Sequence, residues 1–156
     1  MNDKEVWADS AENVLLGCTD AAIFAEKLAF CAEILGYNLC YIGGVRNSII
    51  DIDEALRLPK YCFPLFGLTI GHAKTENDIP AVKPRLPLAA VLHTNTYNTE
   101  QTELIAEFDR VTNDYYLHRS SNPKDTCWSK DMATACCKFN RPFVKHFLVS
   151  KGFTFQ

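Results

Sequence analysis

A chain of 156 residues with 47% hydrophobic and 22% charged side chains has the make-up of one ordinary globular domain, residues 1–156, long enough to bury a core without disulfide or metal staples. Its formal net charge of -3 excludes the basic face that a nucleic-acid binder needs. The apolar stretch from Ala21 to Leu35 is broken by Glu26, Lys27 and Glu33, so no membrane span is expected; Met1-Asn2-Asp3-Lys4-Glu5 lacks the basic-then-apolar order of a secretory signal, and the expected location is the cytoplasm.

The first strong element runs from Thr19 or Asp20, both good N-caps, to Leu35, with Gly36 where a helix C-terminus favours a left-handed residue. Ala21, Ala22, Ile23, Ala25, Leu28, Ala29, Ala32 and Leu35 leave few polar positions on it. A helix apolar around its circumference belongs in the centre of a core or at a dimer interface. Leu39 to Ile42 reads as a short buried strand that ends on Gly43-Gly44, followed by a helix capped at Asn47 or Ser48 and closed by Leu58-Pro59. Strand, glycine turn and helix start bring backbone amides within reach of a ligand. Asp51, Asp53 and Glu54 lie in that helix, where acids complement the helix dipole, and they are not taken as catalysts.

Phe63 to Gly71 is read as a second strand, Ala73 to Val82 as a polar turn, and Ala89 to His93 as a third strand whose apolar run implies burial on both faces. Between the last two stands Lys83-Pro84-Arg85-Leu86-Pro87. Pro84 and Pro87 restrict the residues before them to extended conformations, so Lys83 and Arg85 leave a stiff segment with little freedom to lose on binding. Such a pair suits an anion, and with Tyr41-Ile42-Gly43-Gly44 it suggests a flat ligand carrying phosphate; an exposed Lys-Pro-Arg is more often simply a solvated loop.

From Glu100 to Leu117, Leu104, Ile105, Phe108, Val111, Tyr115 and Tyr116 recur at helical spacing. The polar stretch from His118 to Asp125 reads as a surface loop carrying Arg119 and Lys124. Two helices close the chain, Ser129 to Lys138 and Pro142 to Lys151, the second with Gly152 beyond its end. The seven cysteines, Cys18, Cys31, Cys40, Cys62, Cys127, Cys136 and Cys137, are odd in number and form no Cys-x-x-Cys pair, so they are expected to be reduced and buried. His72, His93, His118 and His146 lack the spacing of a zinc helix, and no metal is expected.

In their order and spacing, Tyr41-Ile42-Gly43-Gly44-Val45-Arg46-Asn47, Leu58-Pro59, Pro64-Leu65-Phe66-Gly67, Lys83-Pro84-Arg85-Leu86-Pro87, His93 with Tyr97, Tyr115-Tyr116-Leu117, Arg119-Ser120-Ser121-Asn122, Trp128-Ser129 and Arg141-Pro142-Phe143 resemble the C-terminal two-thirds of the nitroreductase superfamily. The branch is the oxygen-insensitive NADPH nitroreductase A and flavin reductase P group, and the similarity begins near Asn13. The resemblance implies an α+β, nitroreductase-like fold, a central mixed sheet flanked by helices, incomplete at its N-terminus. It also implies an FMN-dependent NADPH oxidoreductase that reduces nitroaromatics, quinones or free flavin by ping-pong hydride transfer. By position, Tyr41, Ile42, Gly43 and Gly44 would line the flavin ring through main-chain contacts, and Lys83, Pro84 and Arg85 would hold its polar edge and phosphate side. Arg119, with Lys124 as helper, would grip NADPH, and Arg141 and Phe143 would stand at the substrate mouth. No catalytic side chain is assigned, because flavin carries the redox chemistry. The expected partner is a second copy or a complementing chain. Two other readings stay open: a non-catalytic remnant or assembly subunit with an incomplete flavin site, and a module for some other phosphorylated ligand.

Overall fold

The computed structural model describes residues 10–75, 81–137 and 141–153. They fall into two compact units, one made of residues 10–74 and 141–153, the other of residues 75 and 81–137. Parts of the sequence reading, namely the start of the chain, the middle of the turn from Ala73 to Val82, and Lys138, lie outside the described residues.

In the first unit, helix α1 spans Ala11–Ile34. Ser10 caps it by accepting the Asn13 amide at 3.2 Å on its hydroxyl, so the helix starts ahead of Thr19 and Asp20, which are interior. Between the two possible starts only Gly17 disfavours helix, at about 1 kcal/mol, too little to stop a propagating helix. Its end is as expected: Gly36 takes φ 82°, and the Tyr37 amide reaches back to the Ala32 carbonyl at 3.0 Å. Only Ala25, Ala29 and Ala32 are buried on α1, one small-residue stripe, while Phe24 and Leu35 are each 72% exposed. Within this chain α1 is therefore not a central core helix, and its apolar circumference faces outward.

Strands β1 (Asn38–Ile42) and β2 (Gly67–Gly71) pair antiparallel, with Tyr41 opposite Leu68 and Ile42 opposite Gly67. The second strand is shorter than the predicted Phe63 to Gly71 because Pro64 cannot donate to a ladder. A 3-10 helical turn, Gly43–Ser48, leads into α2 (Ile49–Leu56), which ends at Arg57 in the left-handed region, φ 51°. Ile49 is the most deeply buried of this unit's core residues. Helix α5, named here out of order because it closes the same unit, spans Phe143–Ser150. Beyond it Gly152 takes φ 102°, and buried Phe153 meets Tyr61 and Phe63 edge to face at 5.9 and 5.4 Å. A Cβ on Gly152 would stand 2.7 Å from Cε1 of Tyr61. Gly152→Ala is therefore expected to cost about 2 kcal/mol, combining the left-handed backbone with a ring that must move; a urea midpoint indistinguishable from the parent's would show that Tyr61 yields freely.

In the second unit, Leu88–Ala90 is a 3-10 turn in which the Ala90 amide reaches the Pro87 carbonyl at 2.9 Å and the Leu92 amide reaches Leu88 at 2.8 Å. The predicted third strand, Ala89 to His93, is thus absent. The prolines at 84 and 87 offer no ladder donor, and the alanines are poor strand formers, so the segment satisfies its amides locally. The sheet among the described residues is two antiparallel strands and not a mixed sheet, while the α+β class stands. Helix α3 (Thr102–His118) buries Phe108, Thr112 and Tyr116 along one face. Helix α4 (Trp128–Cys137) begins against it: the Ser129 amide donates to Asp109 Oδ1 at 2.8 Å, the Ser129 hydroxyl donates to Asp109 Oδ2, and the Trp128 amide donates to Thr112 Oγ1 at 3.2 Å. Although partial burial pushes the Asp109 carboxyl up, the two Ser129 bonds and the Cys127 thiol hold it below its ordinary value.

All seven cysteines are free, as expected, but Cys31, Cys40, Cys62, Cys136 and Cys137 are exposed. The expectation of burial fails because the apolar surfaces that carry them are not covered by this chain. No group of three or more metal-ligating side chains occurs among the described residues, and no helix there is long and apolar enough to cross a membrane.

Candidate functional site

The second unit gathers cations from two distant parts of the sequence onto one ring. Tyr116, buried in the last turns of α3, has Lys83 Nζ at 5.4 Å, Arg119 Cζ at 5.0 Å and Lys124 Nζ at 4.5 Å from its ring centroid. Each is within range of the ring's negative face. Local bonds build this arrangement. Arg119 Nε donates to the Asn122 carbonyl at 2.8 Å, Asn122 takes φ 49°, and the Lys124 amide returns to the Tyr116 carbonyl at 3.0 Å, so the loop after α3 folds back over the residue it left. Tyr115 reaches the Ala81 carbonyl at 3.4 Å, which ties the start of the Lys83 segment to the same helix.

The charges are unevenly balanced. Lys124 pairs with Asp131 at 2.7 Å, and that bond, then one from Thr126, draws the Asp131 carboxyl below its ordinary range. Lys83 also acts on Asp131, more weakly than Lys124 does. Arg85 is exposed, with Nη1 at 3.4 Å from the Lys83 carbonyl. A surplus of cations around a buried aromatic ring suits an anionic group attached to a flat one.

The first unit holds the glycine turn. Around Gly43 and Gly44 the nearest atoms to an added Cβ would be Arg46 Nη2 at 3.6 Å and Asn47 Nδ2 and Ile42 Cγ2 at 3.9 Å. Those are ordinary contacts, and Gly43 and Gly44 are themselves exposed. Behind it the fit is close: a Cβ on Gly67 would meet Val45 Cγ1 at 3.1 Å, and the Arg46 guanidinium donates to the Leu65 carbonyl. Tyr41 packs edge to face on Phe66 at 5.5 Å. Desolvation, followed by its bond to Glu26 at 3.2 Å, raises the Tyr41 hydroxyl above its ordinary value. Arg141, φ 58°, donates from Nε to Asn47 Oδ1 at 2.8 Å, so the residue entering α5 is tied to the glycine turn. Phe143 opens α5, partly exposed.

Of the residues singled out in the sequence, Lys83, Arg119 and Lys124 share Tyr116, and Arg141 joins the turn that begins at Gly43. Tyr116 itself stands in the sequence only as one member of a helical repeat. Its position one turn ahead of Arg119 was the available signal.

Within an α+β fold, the first unit presents an exposed glycine turn and the second a cluster of cations suited to an anionic group. Residues 83–156 match the model described as "Nitroreductase family, C-terminal domain". The chain is 50% identical over 153 residues to a "CR(VI) reductase" of Pseudomonas sp. (strain G-1), covering 97% of this chain and 62% of that protein. It is 41% identical over 142 residues to an "Oxygen-insensitive NADPH nitroreductase" of Salmonella typhimurium, covering 91% of this chain and 58% of that one. Among solved structures, B. megaterium NfrA2 superposes with a TM-score of 0.89 at 35% identity, over 98% of this chain and 61% of that one. The NADPH:FMN oxidoreductase from Vibrio harveyi complexed with NAD+ gives 0.81 at 34% identity, over 96% and 60%. Residues 83–156 are thus similar to the C-terminal domain of the nitroreductase family, and the fold is nitroreductase-like. It spans about 60% of the length of the relatives it matches.

Proposed function

We propose that this chain serves an FMN-dependent NADPH oxidoreductase that reduces small-molecule acceptors, namely nitroaromatics, quinones or free flavin, in alternating half-reactions. The observation that carries this reading is the convergence of Lys83, Arg119 and Lys124 on the Tyr116 ring, in a chain similar to proteins named NADPH nitroreductase, NADPH-flavin oxidoreductase and FMN reductase (NADPH). The exposed main chain at Gly43 and Gly44 suits a planar ring laid against it, and the cations suit phosphate, so the residues present fit both groups.

FMN, when bound, supplies the hydride chemistry. The chain's own part is to bind and orient. Tyr41, Ile42, Gly43 and Gly44 would present backbone to the flavin ring, and Lys83 and Arg85, stiffened by Pro84, would hold its polar edge and phosphate side. A cation there stabilises negative charge that develops on a reduced ring. Arg119, with Lys124, would take the additional phosphate that distinguishes NADPH from NADH. Arg141 and Phe143 would frame the acceptor. Association with a second copy or a complementing chain is part of the proposal, supported by the outward-facing Leu15, Ile23, Phe24 and Phe30 of α1. The seven unpaired thiols support a reducing compartment such as the cytoplasm.

Arg119→Ala tests the nucleotide assignment. Loss of one charge-assisted phosphate bond is expected to raise KM for NADPH about 10- to 100-fold and to leave KM for NADH within about twofold. An equal change for both nucleotides would remove Arg119 from the phosphate site.

A further inference from the structure

We propose that a cavity in the first unit is a covalent capture site for planar, apolar compounds of the quinone and enone class, with Cys62 as the thiol that takes the adduct. The capture needs neither flavin nor nucleotide and stands apart from the proposed oxidoreductase chemistry.

Among the described residues the cavity measures about 450 Å³, within the size range of small-molecule sites. Its walls differ in kind. One is the first half of α1, where Gly17 and Cys18 stand, and a Cβ built on Gly17 would meet nothing within 4 Å. Small residues on the helix thus leave the space. The other wall carries Tyr61, Cys62, Phe63 and Phe153. Phe63 and Phe153 pack edge to face at 5.4 Å, which offers ring surface to a flat apolar molecule.

The aromatic wall is held in place. Tyr61 takes φ 61°, a conformation that bulky residues rarely adopt; its amide donates to the Lys151 carbonyl at 2.9 Å and its ring meets Phe153 at 5.9 Å. Backbone in such a region persists where its surroundings over-determine it. The Cys62 amide, next in the chain, donates to the Pro59 carbonyl at 3.3 Å. Cys62 is therefore fixed at the cavity and exposed, while Cys18, across from it in sequence and on the helix wall, is half-buried. Both thiols are free.

A soft, planar electrophile matches this combination: the rings hold its carbon skeleton and a thiol meets its electron-poor carbon. The Cys62 sulfur forms a bond to a ring carbon of the quinone, the electrons of that carbon–carbon double bond shift toward a carbonyl oxygen, and the thiol proton together with the hydrogen of the attacked carbon end on the two oxygens. The product is a thioether hydroquinone, and nothing else is consumed or released. Holding the reactants together raises the rate at this thiol above that at thiols exposed elsewhere. Cys31, Cys40, Cys136 and Cys137, all exposed, are internal controls.

The test uses the full chain without NADPH and without oxygen, treated with menadione, a naphthoquinone with one open quinone-ring carbon, and mapped by peptide mass spectrometry. With limiting menadione, Cys62 is expected to take about tenfold more adduct than any of the four control thiols. Its rate should saturate with menadione concentration and fall when naphthol, a flat competitor that does not add thiols, is present. Iodoacetamide, which has no ring, should show no such preference. Gly17→Leu, which fills the cavity from a helix position that gains by losing glycine, should abolish the preference while circular dichroism shows the helices kept. Even adduct across the exposed thiols, a rate linear in menadione, an equal preference with iodoacetamide, or a preference that survives Gly17→Leu would overturn the proposal. Adduct gathered on Cys18 instead would overturn the assignment to Cys62.

Discussion

Replacing Lys83 and Arg85 together by alanine is expected to lower FMN affinity by about 100-fold or more. Each charge-assisted bond to a phosphate or to the ring's polar edge is worth about 1.5–3 kcal/mol, and two of them correspond to roughly two to four orders of magnitude in Kd. Pro84 and Pro87 keep the loss near the upper part of that span, because a segment with little conformational freedom gives back little entropy when its ligand leaves. The fold should tolerate the change. Both side chains are exposed, Arg85 contacts only a carbonyl at 3.4 Å, and Lys83 reaches the Tyr116 ring at 5.4 Å, a contact with two other cations already in place. Titration of the apoprotein with FMN, followed by flavin fluorescence, measures the effect, with circular dichroism confirming that helix content is kept. An unchanged Kd would remove the proline-stiffened pair from the flavin site.

The largest stability effect is expected from Lys151→Met. Lys151 Nζ donates to both oxygens of Asp53, at 2.9 and 3.0 Å, and to the Leu58 carbonyl at 2.8 Å, with side chains only 12% and 17% exposed. Carried at the end of α5, this one ammonium group satisfies both α2 and the segment that follows it. Removing it leaves a mostly buried carboxylate and a carbonyl without their donor, at an expected cost of about 2–4 kcal/mol. Urea unfolding would show a lower midpoint with an unchanged slope. Asp53→Asn combined with Lys151→Met should recover part of the loss, since the stranded charge is then gone. A single-variant loss under about 1 kcal/mol would mean that water replaces the lysine freely.

Local chemistry made much of the fold legible. Gly36 and Gly152 ended their helices as glycine at a left-handed position should, and α2, α3, α4 and α5 fell within a few residues of their hydrophobic periods. The misplaced start of α1 came from treating Thr19 and Asp20 as caps when Ser10 offered one earlier; cap residues are also tolerated in helix interiors. The strand read at Ala89 to His93 failed because a short apolar run does not reveal whether sheet partners exist. Asp53 was read as a dipole-complementing acid, and its ion pair with Lys151, 98 residues away, leaves no local trace. The same holds for the site. Lys83, Arg119 and Lys124 could be named one at a time from residue type and resemblance, whereas the ring that gathers them and the Asn47–Arg141 bond are properties of the folded chain. Cysteine burial was misjudged for a related reason: apolar neighbours in sequence do not guarantee a covering layer.

The most direct measurement is the flavin content of the purified protein. After addition of FMN and gel filtration, the protein peak should absorb at about 450 nm, release FMN on denaturation, and bleach when NADPH is added without oxygen. A colourless peak that FMN in excess cannot reconstitute would contradict the proposal that Tyr41 to Gly44 and the Lys83 segment serve one flavin.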